Sequence, residues 1–212
     1  MSGCGCEENV KFDGVSASYK RALWAVIAIN GIMFLVEMTA GIVGNSQALK
    51  ADALDFFGDT ATYTITLMVI GMPLVWRAWA ALFKGLSLAI LGLWVFGSTL
   101  YNMFILGVPQ AEMMGAIGFL ALVANLVSVL LLLQHRDGDA NVRSVWLCSR
   151  NDAIGNVAVM LAASGVWATS TAWPDLIVAA LMAGLFLWSS TQIVNQAIGE
   201  LRIQQPALGA AE

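Results

Sequence analysis

The chain has 212 residues, of which 59% are hydrophobic and only 11% charged, with a formal net charge of -4 and a mean hydropathy of +0.77. So few charges cannot solvate the surface of a soluble domain this long, and the chain reads as an all-α integral membrane protein. There is no basic stripe and no aromatic stacking platform, so nucleic acid is not an expected partner.

Residues 1–19 are polar, carry no charged-then-apolar leader, and are expected to be a cytoplasmic tail rather than a signal peptide. Cys4 and Cys6, followed by Glu7 and Glu8, admit two readings: a soft metal-capturing site, or incidental cysteines in a tail. Together with Cys148 they are odd in number and spaced without a disulfide pattern.

Runs of about twenty mainly apolar residues mark membrane spans. They predict six transmembrane helices over residues 22–43, 48–75, 83–106, 113–133, 144–168 and 174–193, a membrane domain covering 20–198, and a short cytoplasmic tail over 199–212. The breaks fall at Gly44-Asn45-Ser46, 77–84, Gly107-Val108-Pro109, 134–143 and 169–173. Lys and Arg concentrate in short cytoplasmic loops. Lys11, Lys20, Arg21, Arg77, Lys84, Arg136, Arg143 and Arg202 all fall on one side of a six-span arrangement, so both termini are expected in the cytoplasm. On the other side only Lys50 carries a positive charge.

The first helix carries Asn30 and Glu37 on one face, either lining a proton path or bonding between helices. The second opens with Lys50, Asp52, Asp55 and Asp59; residues 48–60 contain no proline and one glycine, Gly58, so the helix extends back over them. Asp52 lies nearer the surface and fits a capping or gating role. Small residues Gly85, Ala89 and Gly92 on the third helix would let another helix approach closely. Asn125 is a further polar residue at depth in the fourth, and His135, Asp137 and Asp139 read as a solvated loop. The fifth carries Cys148, Asp152 and Asn156 at four-residue spacing.

Acidic side chains at membrane depth are functional candidates, since even lenient insertion scales charge roughly 2.5 to 3.5 kcal/mol for one. Asp55 and Asp59 stand about 40° apart on one helical face. If the second helix enters from outside, Asp59 lies roughly 16 Å deep, and Asp152, entering from the cytoplasm, roughly 12 Å deep in a core about 30 Å thick. The two ladders would then meet near the midplane, where an alternating-access site belongs. Neighbouring carboxylates in low dielectric need protons or a cation between them, and a divalent cation can replace the protons. Carboxylate oxygens with a thiolate suit a four-coordinate transition metal such as Zn(II), whereas Ca(II) wants six to eight oxygens. A bland alternative is open here: Asp55 at the interface, Asp152 paired with Arg150, and Cys148 packing as a small apolar residue. Asn156 reads as an interhelical hydrogen-bonding residue.

At these residues the chain resembles the cation diffusion facilitator family of divalent-metal/proton antiporters. The stretch from Ser46 through Asp55 to Asp59 is similar to its second-helix motif, and NVRSVWLCSRNDAIGN, residues 141–156, to its fifth-helix motif, with Trp173-Pro174-Asp175 resembling its turn into the sixth helix. The resemblance implies a metal set of Asp55, Asp59, Cys148 and Asp152, with Cys148 where most members have His, and with water or Asn156 as the alternative fourth donor. A thiolate there would favour Zn(II) and Cd(II). It also implies a homodimer, here through membrane helices such as the third, because the family's usual cytoplasmic C-terminal domain of ferredoxin-like fold has no counterpart after Gly199. The expected function is export of Zn(II) and Cd(II) against protons from a prokaryotic inner membrane, with the metal as cargo, no resident cofactor and no enzymatic activity. A membrane metal sensor or structural subunit without net flux is the alternative. An intramembrane aspartyl protease lacks its Gly-x-Gly-Asp signature, because Phe56, Phe57 and Gly58 precede Asp59.

Overall fold

The computed structural model describes residues 16–69, 74–104, 107–135 and 140–209, with the side chains of 69, 74, 77, 135, 140–148, 200 and 203–209 outside the description. Six α-helices follow in order: α1 Ala17–Val43, α2 Gln47–Val69, α3 Leu74–Asn102, α4 Ala111–Leu132, α5 Ala140–Thr169 and α6 Trp173–Gly209, with a 3-10 turn Leu133–His135 after α4. No strand occurs among the described residues. Helices satisfy every backbone group within the segment, which is what a chain with no water around it requires.

Five helices contain stretches long and apolar enough to cross a membrane: Ala17–Val43, Ala78–Asn102, Ala111–Leu132, Ser149–Thr169 and Trp173–Gly199. The odd one out is α2. Lys50, Asp52, Asp55 and Asp59 lower its hydropathy, and it is walled in by α1, α3, α5 and α6. The helix with the most charges is therefore shielded by its neighbours.

The most extensive packing joins α3 to α6, α4 to α5 and α1 to α2. Between these pairs lies a core of small and medium side chains, including Ala48, Leu49, Ala51, Val95, Met114, Val159, Ala162, Ala183 and Phe186. Large apolar residues such as Ile32, Leu35, Ile90, Leu93, Leu181 and Leu185 point outwards instead. An apolar exterior over a small-residue interior is the packing expected when lipid surrounds the bundle.

Sequence and structure differ between α2 and α3. The expected break at 77–84 lies inside α3, which begins at Leu74, so the residues expected to part the two helices belong to the third. Residues 77–84 (RAWAALFK) contain strong helix formers, and a long basic side chain can lie along a helix with its charged end reaching polar surroundings. Charge alone did not mark a loop. At the other end, α6 stays helical to Gly209, through most of the expected short tail.

The small residues of α3 are spent within the chain. A Cβ at Gly85 would sit 2.8 Å from Val194 Cγ2, and one at Gly92 would sit 3.1 Å from Phe186 Cβ, both on α6. Ser190 of α6 also donates to the Gly85 carbonyl at 2.7 Å. The glycines that might have faced a second copy of the chain thus let α6 approach.

Candidate functional site

The site begins with how α2 is held. α1 ends at Gly44, Asn45 takes the left-handed conformation (φ 53°), and the Ser46 N–H returns to the Gly41 carbonyl at 3.0 Å. An αL residue just past a helix is a common stop, and Asn tolerates it better than most side chains. The Ser46 hydroxyl accepts from the Leu49 N–H at 3.0 Å, capping α2. Asp175 in the first turn of α6 accepts from the Ser46 hydroxyl at 2.6 Å and from the backbone N–H groups of Gln47 at 2.7 Å and Ala48 at 3.0 Å. A carboxylate at a helix N-terminus meets both the free N–H groups and the positive end of the dipole. The capping role expected of Asp52 therefore falls to Ser46 and Asp175. Asp52 is itself buried one turn inside α2.

This anchoring fixes the phase of α2, and with it Asp55 and Asp59. Both are half-buried, as is Asp152 on α5, and Asp152 lies within hydrogen-bonding reach of each. The structure thus brings together three of the four sequence-picked residues. One turn further along α2, the Tyr63 hydroxyl donates to Asp59 Oδ2. Lys84 on α3 interacts electrostatically with Asp55 and Asp59, a link hidden in the sequence because the residue was expected in a loop.

Cys148 lies in α5 one turn before Asp152, but its side chain is outside the described residues, as are His135, Asp137, Asp139, Cys4 and Cys6. Asn156, one turn beyond Asp152, is fully buried, and neither Oδ1 nor Nδ2 has a hydrogen-bond partner. The interhelical hydrogen bond expected of it is not made. Arg150 is exposed and donates to Asn151 Oδ1 at 3.3 Å. Among the described residues no three acidic, cysteine or histidine side chains are already closed into a coordination shell. The arrangement is two carboxylate-bearing helix faces set opposite each other.

A second acidic pair lies beside the first. Glu37 on α1 and Asp52 on α2 are fully buried and face one another, and both interact through space with Asp55. The residue spacing placed Glu37 at depth, but only the fold shows that its neighbour is Asp52. Asn30, on the same face of α1, returns its amide to the Val26 carbonyl at 2.8 Å, so it bonds within its own helix.

Residues 23–72 and 76–201 match the family described as the cation efflux transmembrane domain. The chain is 28% identical over 187 residues to the metal cation efflux system protein CzcD of Cupriavidus metallidurans, covering 82% of this chain and 59% of that protein. It is 26% identical over 196 residues to the zinc transporter ZitB of Escherichia coli, covering 86% and 62%. It is 23% identical over 198 residues to a cadmium, cobalt and zinc/H(+)-K(+) antiporter of Bacillus subtilis, covering 86% and 63%. The chain thus spans about three fifths of the length of each of these relatives.

Proposed function

Since the chain belongs to the cation efflux family, an integral membrane family of transporters rather than enzymes, we propose that it exports Zn(II), and with it Cd(II), across a bacterial inner membrane in exchange for protons by alternating access. The observation that carries this reading is the meeting of Asp55 and Asp59 on α2 with Asp152 on α5, inside a bundle whose other faces are apolar. Relatives named as a zinc transporter and as a cadmium, cobalt and zinc antiporter support the choice of ion.

Three carboxylates from two helices offer the hard part of a tetrahedral Zn(II) set, and the Cys148 thiolate would complete it. Metal entry displaces protons from the carboxyl groups; metal exit lets protons return. Because α2 is held to α6 at one end by Asp175 and α5 approaches it at the site, a shift of α5 against α2 would open and close the set. Such rocking of one helix group past another is how alternating access is generally achieved. The working unit is proposed to be a homodimer joined through membrane helices, using faces other than the Gly85 and Gly92 side of α3, which α6 covers.

The test is Zn(II) uptake into proteoliposomes under an imposed pH gradient, read with a zinc dye inside the vesicles. Uptake should follow the gradient in wild type and vanish in Asp59→Ala and Asp152→Ala. Unaltered uptake in both variants would sink the assignment of the site.

A further inference from the structure

An open groove of about 630 Å³ runs along the contact between α4 and α5. Small residues shape its floor: a Cβ on Gly115 of α4 would lie 3.9 Å from the Cβ of Ala163 on α5. One turn deeper the helices close on each other, with a Cβ at Gly118 only 3.3 Å from Val159 Cγ1. The walls are apolar apart from Ser164 and Glu112. Ser164 donates its hydroxyl to the Met160 carbonyl of its own helix at 3.0 Å, so it offers no free donor to an occupant.

The length of the groove matches one leaflet of a bilayer. Its α4 wall runs from Glu112 to Leu122 and its α5 wall from Trp167 back to Val157. Each wall covers about 15 Å at about 1.5 Å per residue, half of a hydrocarbon core about 30 Å thick. A helix with its side chains is about 10–12 Å across, too broad to enter between two helices already in contact. A single hydrocarbon chain is narrow enough.

Charge at the mouth then selects the head group. Glu112 is exposed there, and among the described residues no hydrogen bond or ion pair reaches its carboxylate. Trp167 beside it is 76% exposed, as suits an indole at the boundary between membrane and water. In the loops and helix starts at this end Lys50 is the only lysine or arginine, and it interacts with Asp175. The phosphate of an anionic lipid would find no cation at the groove, whereas a cationic head group would find an acid. A primary ammonium brings N–H donors for charge-assisted hydrogen bonds, and a quaternary ammonium brings none.

We propose that the α4–α5 groove is a lipid site, which seats one acyl chain of a phospholipid whose head group ends in a primary ammonium and donates to the Glu112 carboxylate. The lipid joins α4 to the half of α5 that lies just beyond Asp152. Glu112 also favours the start of α4 through the helix dipole. That effect is the same in every lipid, so a preference among lipids belongs to the site alone. The site follows from the membrane architecture and is independent of which ion the chain carries.

The experiment uses the full chain, stripped of lipid in detergent, with phosphatidylethanolamine, phosphatidylcholine and phosphatidylglycerol of identical acyl chains as probes. Native mass spectrometry counts the lipid retained, and thermal melting reads the stabilisation each lipid gives. Wild type should retain phosphatidylethanolamine at least fivefold better than either other lipid. Glu112→Gln should bring it down to the level of phosphatidylcholine, while Glu112→Asp keeps part of the preference. Ser164→Phe, at an exposed position, fills the groove and should lower retention of all three lipids. If one of these variants fails to fold, the other still tests the site. Equal retention of the three lipids by wild type would overturn the proposal and leave only the lipid that surrounds any membrane helix. A preference for phosphatidylglycerol would overturn it too, as would loss of a dimer in Ser164→Phe with lipid retention unchanged, which would make the groove a face between copies of the chain.

Discussion

Asp175 on α6 holds Ser46, the cap of α2, across 129 positions of sequence, with its Oδ1 2.6 Å from the serine hydroxyl. The same carboxylate takes the Gln47 and Ala48 N–H groups. The start of the acid-bearing helix is thus fastened to the last helix of the bundle.

Asp175→Ala should therefore destabilise the bundle by about 2 kcal/mol, because it leaves a buried hydroxyl and two helix N–H groups without their acceptor. Asp175→Asn should cost less, since an amide oxygen can still accept. Thermal unfolding in detergent, followed by circular dichroism, reads both. Equal midpoints for wild type and Asp175→Ala would show that the clamp contributes nothing.

Tyr63→Phe should leave the fold intact and weaken Zn(II) binding severalfold. The hydroxyl that Tyr63 donates to Asp59 orients the carboxylate, and partners of this kind, one step removed from the ion, commonly contribute 10-fold or more to metal affinity. Zinc titration by calorimetry checks it, and an unchanged affinity would mean that Asp59 reorients freely.

Cys148→Ser should move preference from Cd(II) towards Zn(II), because a hydroxyl is a harder donor than a thiolate. Competitive uptake of the two ions in vesicles gives the ratio. An unchanged ratio would place the thiol outside the metal set.

Much of this was legible in the sequence. Five spans announced themselves by length and hydropathy, and Asp55, Asp59 and Asp152 by their cost in a membrane. α2 was harder, because the charges that make it functional also disguise it, and only its burial among four helices explains how it persists. What the sequence hid was long-range. Nothing local ties Asp175 to Ser46 or Glu37 to Asp52, and Gly85 and Gly92 looked the same whether they faced a second protomer or α6. Lys84 was misread for a different reason: a positive charge between apolar runs usually marks a loop, but here it sits within a helix and acts on the site.

Gly92→Val should disrupt the α3–α6 contact within one chain. A Cβ there already meets Phe186 Cβ and Leu187 Cγ at 3.1 Å, and overpacking a tight helix contact costs about 1–3 kcal/mol. The variant should melt lower without dissociating any oligomer at temperatures where the wild type is intact. Chemical cross-linking across the melt distinguishes the two, and loss of a dimer before any loss of helicity would return the glycines to an intermolecular role.

Lys84 supplies the last prediction. Its ammonium is a cation already present on α3, acting on Asp55 and Asp59. A fixed positive charge near an empty carboxylate site stabilises that site and opposes an incoming divalent ion. Lys84→Gln should therefore tighten Zn(II) binding by at least tenfold at low ionic strength, since even two unit charges several Å apart interact by more than about 1.4 kcal/mol at an effective dielectric of about 20. The gain should shrink at high salt if the path between them is hydrated, because exposed charges are screened over about 8 to 10 Å near physiological ionic strength. Lys84→Arg keeps the charge and should behave like wild type. Calorimetric titration of the three proteins at two salt concentrations decides the matter: an affinity that ignores Lys84→Gln at both would show that the ammonium and the ion never meet, whereas tightening without faster transport would mean that Lys84 serves to release the metal rather than to bind it.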